Sequence, residues 1–131
     1  MKKIIPALLL ALALLPAADA AAARQGKVRF DCEDPKTQSE LNVCADRKFS
    51  AADAELNRAY SQLASRLEER WRAGLKAAEV AWLKYRDANC EYETALYEGG
   101  SMRPMLFSLC MERMTRARTA ELREQLKDLD N

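Results

Sequence analysis

The sequence predicts an all-α fold, a small disulfide-stapled helical bundle of one short and three longer helices. Three observations predict it. Apolar residues recur at three- to four-residue spacing over most of the chain beyond Thr37. No run alternates with period two over strand length. Four cysteines, Cys32, Cys44, Cys90 and Cys110, follow an export-type N-terminus, and in an oxidising compartment an even number of cysteines forms bridges.

The export segment is expected to span residues 1–20. Lys2 and Lys3 supply its positive end, Ile4 to Leu15 its apolar run, and Ala18-Asp19-Ala20 the small-x-small cleavage pattern. The apolar run is too short for a stable membrane span. The first cysteine, Cys32, stands too far from the cut for lipidation, so a mature chain without an anchor, periplasmic or secreted, is expected. Removal of residues 1–20 leaves 19 basic and 19 acidic side chains. A neutral chain lacks the basic footprint of a nucleic-acid binder and the acidic excess that steers a protein to a basic partner over long range. Its 111 residues suffice for one domain with a thin core, which disulfides commonly reinforce.

Residues 21–36 read as an irregular entry, and residues 37–131 as the single helical domain. Thr37-x-x-Glu40 forms a capping box that starts a short helix to about Lys48. Ser50-x-x-Asp53 reads as a second cap, followed by the stripe Leu56, Tyr60, Leu63, Leu67 and Trp71. A turn is expected at Arg72-Ala73-Gly74, because Gly74 is the only glycine between Gly26 and Gly99. The third helix carries Ala78, Trp82, Tyr85, Ala88 or Asn89, Tyr92 and Leu96 and stops at Gly99-Gly100, with Ser101 as the next cap. Pro104 suits only the first turn of the fourth helix, whose stripe is Leu106, Cys110, Met114, Ala117, Leu122, Leu126 and Leu129.

This layout selects the bridges. In an antiparallel hairpin of the last two helices, Cys90 and Cys110 come level, and the segment before the first helix can fold Cys32 back onto Cys44. Cys32–Cys44 and Cys90–Cys110 are therefore expected. A four-thiolate zinc site would need closely spaced ligand pairs, and these pairs are separated by eleven and nineteen residues.

Catalytic chemistry is sparse. The chain has no histidine, which removes the usual nucleophile–base pairs and imidazole metal sites. No phosphate cradle is present, since Gly99-Gly100 follows a helix instead of a strand. Asp87, Glu91 and Glu93 are close in sequence, but a solvated helix face is the simpler reading. No cofactor, metal or catalytic residue is expected. In the cluster Trp82 to Cys90, Trp82 and Tyr85 are expected to fill the core while Arg86 pairs with a carboxylate beside them.

The segment Tyr97 to Met105 is the candidate contact loop: flexible at its glycines, polar at its tip and clamped beneath by Cys90–Cys110. Residues 87–98 carry acidic charge alone, whereas the last helix offers Arg103, Arg113, Arg116, Arg118 and Arg123. Either the two arms pair with one another, or the first is an acidic ridge facing a basic partner. Glu93, Glu98, Ser101 and Arg103 are the candidate partner-binding residues.

Two blocks of motif carry a family resemblance. The first is Cys32, Thr37-Gln38-x-Glu40-Leu41-Asn42-x-Cys44-Ala45 and Phe49-x-Ala51-Ala52-Asp53-x-Glu55-Leu56-Asn57-x-x-Tyr60. The second is Trp82-Leu83-x-Tyr85-Arg86-Asp87-x-x-Cys90, Gly99-Gly100-Ser101, and Cys110 with Thr115-x-x-Arg118-x-x-x-Leu122. Together they resemble the lysozyme-inhibitor LprI-like family of small secreted four-cysteine domains, from Cys32 to about Leu126. Glu79 stands where that resemblance leads to glutamine, and the lipoprotein cysteine of the family's namesake is missing. The resemblance implies a helical exported domain and, for some members, inhibition of lysozyme. The expected function is thus a periplasmic binding protein whose partner is lysozyme, occluding its active site. An envelope protein–protein or cell-wall interaction module is the alternative.

Overall fold

The computed structural model describes residues 31–130. The expected export segment and the first part of the irregular entry lie outside them. Three long helices follow in order: α1 (Gln38–Arg66), α2 (Glu69–Thr94) and α3 (Arg103–Asp128), with a 3₁₀ turn at Ala95–Tyr97. No strand occurs among the described residues. The all-α, doubly bridged fold is as the sequence predicts, with Cα–Cα distances of 5.5 Å for Cys32–Cys44 and 5.6 Å for Cys90–Cys110.

The helix boundaries differ from the expectation in two places. α1 begins at the expected capping box, where Glu40 N–H donates to Thr37 Oγ1 (3.2 Å) and Thr37 N–H to Glu40 Oε2 (3.1 Å). It then runs through Ser50 without a break, so the short helix and its successor are one. No glycine or proline interrupts residues 38–66, and Asp53 is engaged by Arg86 and Asn57 instead of capping. The turn falls at Leu67-Glu68, not at Gly74. Both turn residues are extended at negative φ, a conformation that needs no glycine. The exposed carbonyls at the end of α1 are capped by Arg72, whose guanidinium donates to Ala64 O (3.0 Å) and Leu67 O (2.8 Å).

Gly74 accordingly sits inside α2, with no atom near the position a Cβ would take. Gly74→Ala is expected to raise stability by about 0.5–1 kcal/mol by restricting the unfolded chain. A higher urea midpoint at unchanged slope is the readout.

α2 runs antiparallel to α3, as expected, and α1 lies parallel to α3. Asn42 meets Ser101 at one end, and Arg66 meets Asp130 at the other. α3 is the central packing partner, approaching α1 most closely and α2 next. The core divides into two apolar clusters. Leu56, Ala59 and Leu63 of α1 pack with Leu75 and Leu122 near the α1–α2 turn. Cys90, Cys110 and Met111 pack with Phe49 and Phe107 near the other end.

Between the clusters lies a polar layer. Arg86, only 6% exposed, donates from Nη1 to Asp53 Oδ1 (3.2 Å) and Thr115 Oγ1 (3.1 Å), and from Nε to Asp87 Oδ1 (3.0 Å). Its guanidinium carbon lies 5.3 Å from the Phe49 ring centre and 5.4 Å from that of Trp82. The Trp82 ring centre also lies 5.9 Å from the Arg118 guanidinium carbon, and Arg118 donates to Glu79 Oε2 (3.0 Å) and Glu121 Oε2 (2.9 Å). The motif residues Asp53, Trp82, Arg86, Thr115 and Arg118 therefore converge from three helices onto one network. They hold the helices together.

This network corrects the expected stripe on α2. The inward positions are Leu75, Glu79, Arg86, Cys90 and Thr94, with Trp82 and Leu83 partly covered. Tyr85 is 60% exposed, Tyr92 80% and Leu96 96%. The buried face of α2 is rich in polar groups, so following apolar residues along the sequence selects the wrong side. On α3, Ala117 is likewise exposed, and Met111, Thr115 and Thr119 are buried.

Candidate partner-binding site at the clamped tip

The end of the bundle where α2 turns into α3 is rigid for local reasons. Thr94 Oγ1 donates to Cys90 O (2.7 Å) as α2 tightens into the 3₁₀ turn. Glu98 N–H then donates to Ala95 O (3.2 Å), and Gly100 N–H to Tyr97 O (2.9 Å). Gly99 adopts φ +76°, the left-handed conformation that favours glycine. The expected stop signal is thus used as read. α3 starts at Arg103 with Met102 in the capping position and no side-chain cap, so Ser101 does not cap it. Pro104 occupies the first turn as expected. Two tethers fix the tip to the body: the Cys90–Cys110 bridge beneath it, and Asn42 Nδ2 of α1 donating to Ser101 O (3.1 Å).

The tip presents a shallow groove of about 340 Å³ lined by Leu96, Tyr97, Glu98, Gly100, Ser101 and Met102. Leu96 projects almost wholly into solvent, and Tyr92 lies one helical turn behind it. Tyr85 lies on the same outward side of α2, two turns further back. These three residues form an exposed apolar and aromatic stripe that runs into the groove. An isolated surface leucine is ordinary, but a contiguous stripe on a rigid element is the pattern of a contact surface.

Of the four residues proposed from sequence, two reach this groove. Glu98 and Ser101 line it, and Glu98 makes no ion pair among the described residues. Glu93 and Arg103 are engaged within the hairpin. Glu93 accepts from Asn89 (2.7 Å) and Arg113 (2.8 Å), and these hydrogen bonds hold its carboxyl below the ordinary value of 4.5. Arg103 pairs with Glu91, and Asp87 with Arg86. The basic arm therefore pairs with Glu91 and Glu93, as in the simpler of the two sequence readings, while Asp87 is held by Arg86 of its own helix.

Sequence reasoning missed Leu96 and Tyr92 as surface residues. A signal was available, because the Cys90 bridge fixes the phase of α2. With Cys90 facing α3, a step of about 100° per residue places Tyr85, Tyr92 and Leu96 together on the opposite side. Among the described residues no group of histidine, cysteine or acidic side chains could hold a metal. No described helix is long and apolar enough to cross a membrane.

Fold and tip together define a class of protein: a small helical scaffold, doubly bridged, that displays one clamped loop. More particularly, the chain belongs to the lysozyme inhibitor LprI family, whose model matches residues 32–122. An uncharacterized protein of Rhizobium meliloti (strain 1021) is 40% identical over 114 residues, covering 77% of this chain and 82% of that one. The crystal structure of a DUF1311 family protein from Pseudomonas putida KT2440 is similar at 27% identity and a TM-score of 0.64. It covers 69% of this chain and 94% of that one.

Proposed function

We propose that the chain is an exported inhibitor of lysozyme that seats its clamped tip in the enzyme's substrate cleft. Family membership supports the partner. The observation that carries the surface is the exposure of Leu96 on a loop already fixed by a disulfide, a 3₁₀ turn and Asn42. A preorganised loop loses little conformational entropy on docking, so its contacts convert more fully into affinity. Tyrosines flanking an apolar knob are the side chains that dominate protein interfaces. Glu98 supplies the one tip carboxylate left without an ion pair among the described residues, suited to the positive rim of a basic enzyme. Two disulfides fit an oxidising compartment, and residues 1–20 fit the signal that delivers the chain there.

Inhibition assays with c-type and g-type lysozymes test the reading. The mature chain is expected to inhibit at least one of them. Leu96→Asp is expected to weaken inhibition by about tenfold or more. Glu98→Lys is expected to weaken it several-fold, chiefly through slower association at low salt. Arg116→Ala, which removes a pair with Glu112 away from the tip, should leave it unchanged. Absence of inhibition by the unmodified chain at about 0.1 mM, a concentration that reveals even weak binding, rejects the proposal. Capture of a different envelope protein, lost in Leu96→Asp, would then identify the tip as a general interaction module.

A further inference from the structure

A second recess lies on the opposite side of the polar layer from the tip hairpin, between α1 and α2. Its volume is about 420 Å³, within the range of small-molecule sites. Leu56, Val80 and Leu83 supply its apolar wall, and Tyr60, Lys76 and Glu79 its polar one. The Asp53–Arg86 pair closes it, with the two charges cancelling.

Of the remaining polar groups, Glu79 is only partly matched, and Lys76 and Tyr60 have no polar partner among the described residues. Glu79 is only 8% exposed, and its Oε2 accepts from Arg118 on α3. Its other oxygen, Oε1, is buried without a hydrogen-bond donor. An unmatched carboxylate oxygen in such a place is costly, and a donor that reaches it is strongly favoured. Lys76, three residues earlier on the same helix, makes no ion pair among the described residues, and the Tyr60 hydroxyl no hydrogen bond. The two helix positions stand about 5–6 Å apart at Cβ. Lining residue Glu79 therefore keeps a covered acceptor in need of a donor, one turn from a cation in need of an anion and beside aliphatic side chains.

We propose that this recess binds a small zwitterion, an α-amino acid with an aliphatic side chain. The ligand ammonium donates to Glu79 Oε1, its carboxylate pairs with Lys76 and accepts from Tyr60, and its side chain lies on Leu56, Val80 and Leu83. Oε1 is covered in the unliganded chain, so the ammonium reaches it with a shift of the Glu79 carboxylate toward the recess, while exposed Lys76 is free to follow the ligand carboxylate. The site is separate from the tip, so it stands or falls independently of lysozyme inhibition.

Leucine is the probe, added to the folded, oxidised chain while amide resonances are followed. Saturable shifts at residues 56–60 and 76–83 are expected, with an affinity in the millimolar range suited to a ligand of this size. N-acetyl-leucine, which lacks the ammonium, and leucinamide, which lacks the carboxylate, are each expected to bind about tenfold more weakly or worse. Glu79→Gln keeps the shape of the side chain and an acceptor for Arg118, and should weaken leucine by a similar factor. Lys76→Gln, at an exposed position that does not bear on folding, should do the same. Shifts confined to other residues, equal binding of N-acetyl-leucine, or no saturation at about 50 mM would overturn the proposal. A lysine that merely folds onto Glu79 gives that last result.

Discussion

Replacing Arg86 with alanine is expected to lower the unfolding free energy by about 3 kcal/mol, at the lower end of the range for breaking a buried ion pair. The side chain is almost fully covered and joins all three helices through Asp53, Asp87 and Thr115. Its removal leaves the Thr115 hydroxyl without this donor inside the bundle and opens space between Phe49 and Trp82. Asp53 and Asp87 remain in contact with water and can be rehydrated, which keeps the loss from being larger. In a domain of this length the melting temperature should fall by roughly 10–20 °C. Arg86→Met, which restores much of the volume without the charge, should recover part of that loss. Arg116→Ala breaks an ion pair whose arginine is exposed and should change stability by less than about 1 kcal/mol. Equal melting temperatures for Arg86→Ala and the unmodified chain would show that the polar layer is not what holds α2 in place.

Removing the Cys90–Cys110 bridge is expected to affect stability and binding together. Both cysteines are buried in the cluster with Met111, and the bridge closes the hairpin directly beneath the tip. With alanine at both positions, loop-closure entropy predicts a loss of about 3 kcal/mol, from a thin core with little to spare. Under the proposed docking through the tip, the freed loop must also be ordered again, so inhibition of lysozyme should weaken by about tenfold beyond any loss of folded protein. The Cys32–Cys44 bridge serves as the internal comparison. It ties residues 32–36 to the start of α1 and does not close the α2–α3 loop. Its removal should also lower the melting temperature, yet leave inhibition within about twofold when measured on folded protein. Inhibition assays and thermal melts of both double variants, run below the melting temperature of the weaker one, separate the two effects. Equal losses of inhibition would mean that the clamp acts only through global stability.

Much of this architecture was legible from residues alone. The capping box at Thr37, the glycine at position 99, the proline at 104 and both disulfide pairings act through local geometry or through the levelling of neighbours in a hairpin. Such features depend on a few adjacent residues, and chemistry at that range is readable in a sequence. The misplaced turn has an equally local explanation. Glycine marks turns that need positive φ, and Leu67-Glu68 makes its turn with extended residues and an arginine cap.

How the polar groups on the Cys90 side of α2 could be buried was decided only by tertiary structure. Tyr85, Tyr92 and Leu96 have the composition of a core stripe, whereas Glu79, Arg86 and Thr94 have that of a surface. Their roles are exchanged because carboxylates, hydroxyls and arginines from three helices meet and satisfy one another inside the bundle. That compensation costs nothing visible in any single segment, since each partner lies tens of residues away. Residues alone were enough to read a helical, doubly bridged chain whose first helix is capped by Thr37. Tertiary structure alone supplied the partners that let the polar side of α2 be buried, and so left an aromatic stripe outside beside a clamped tip.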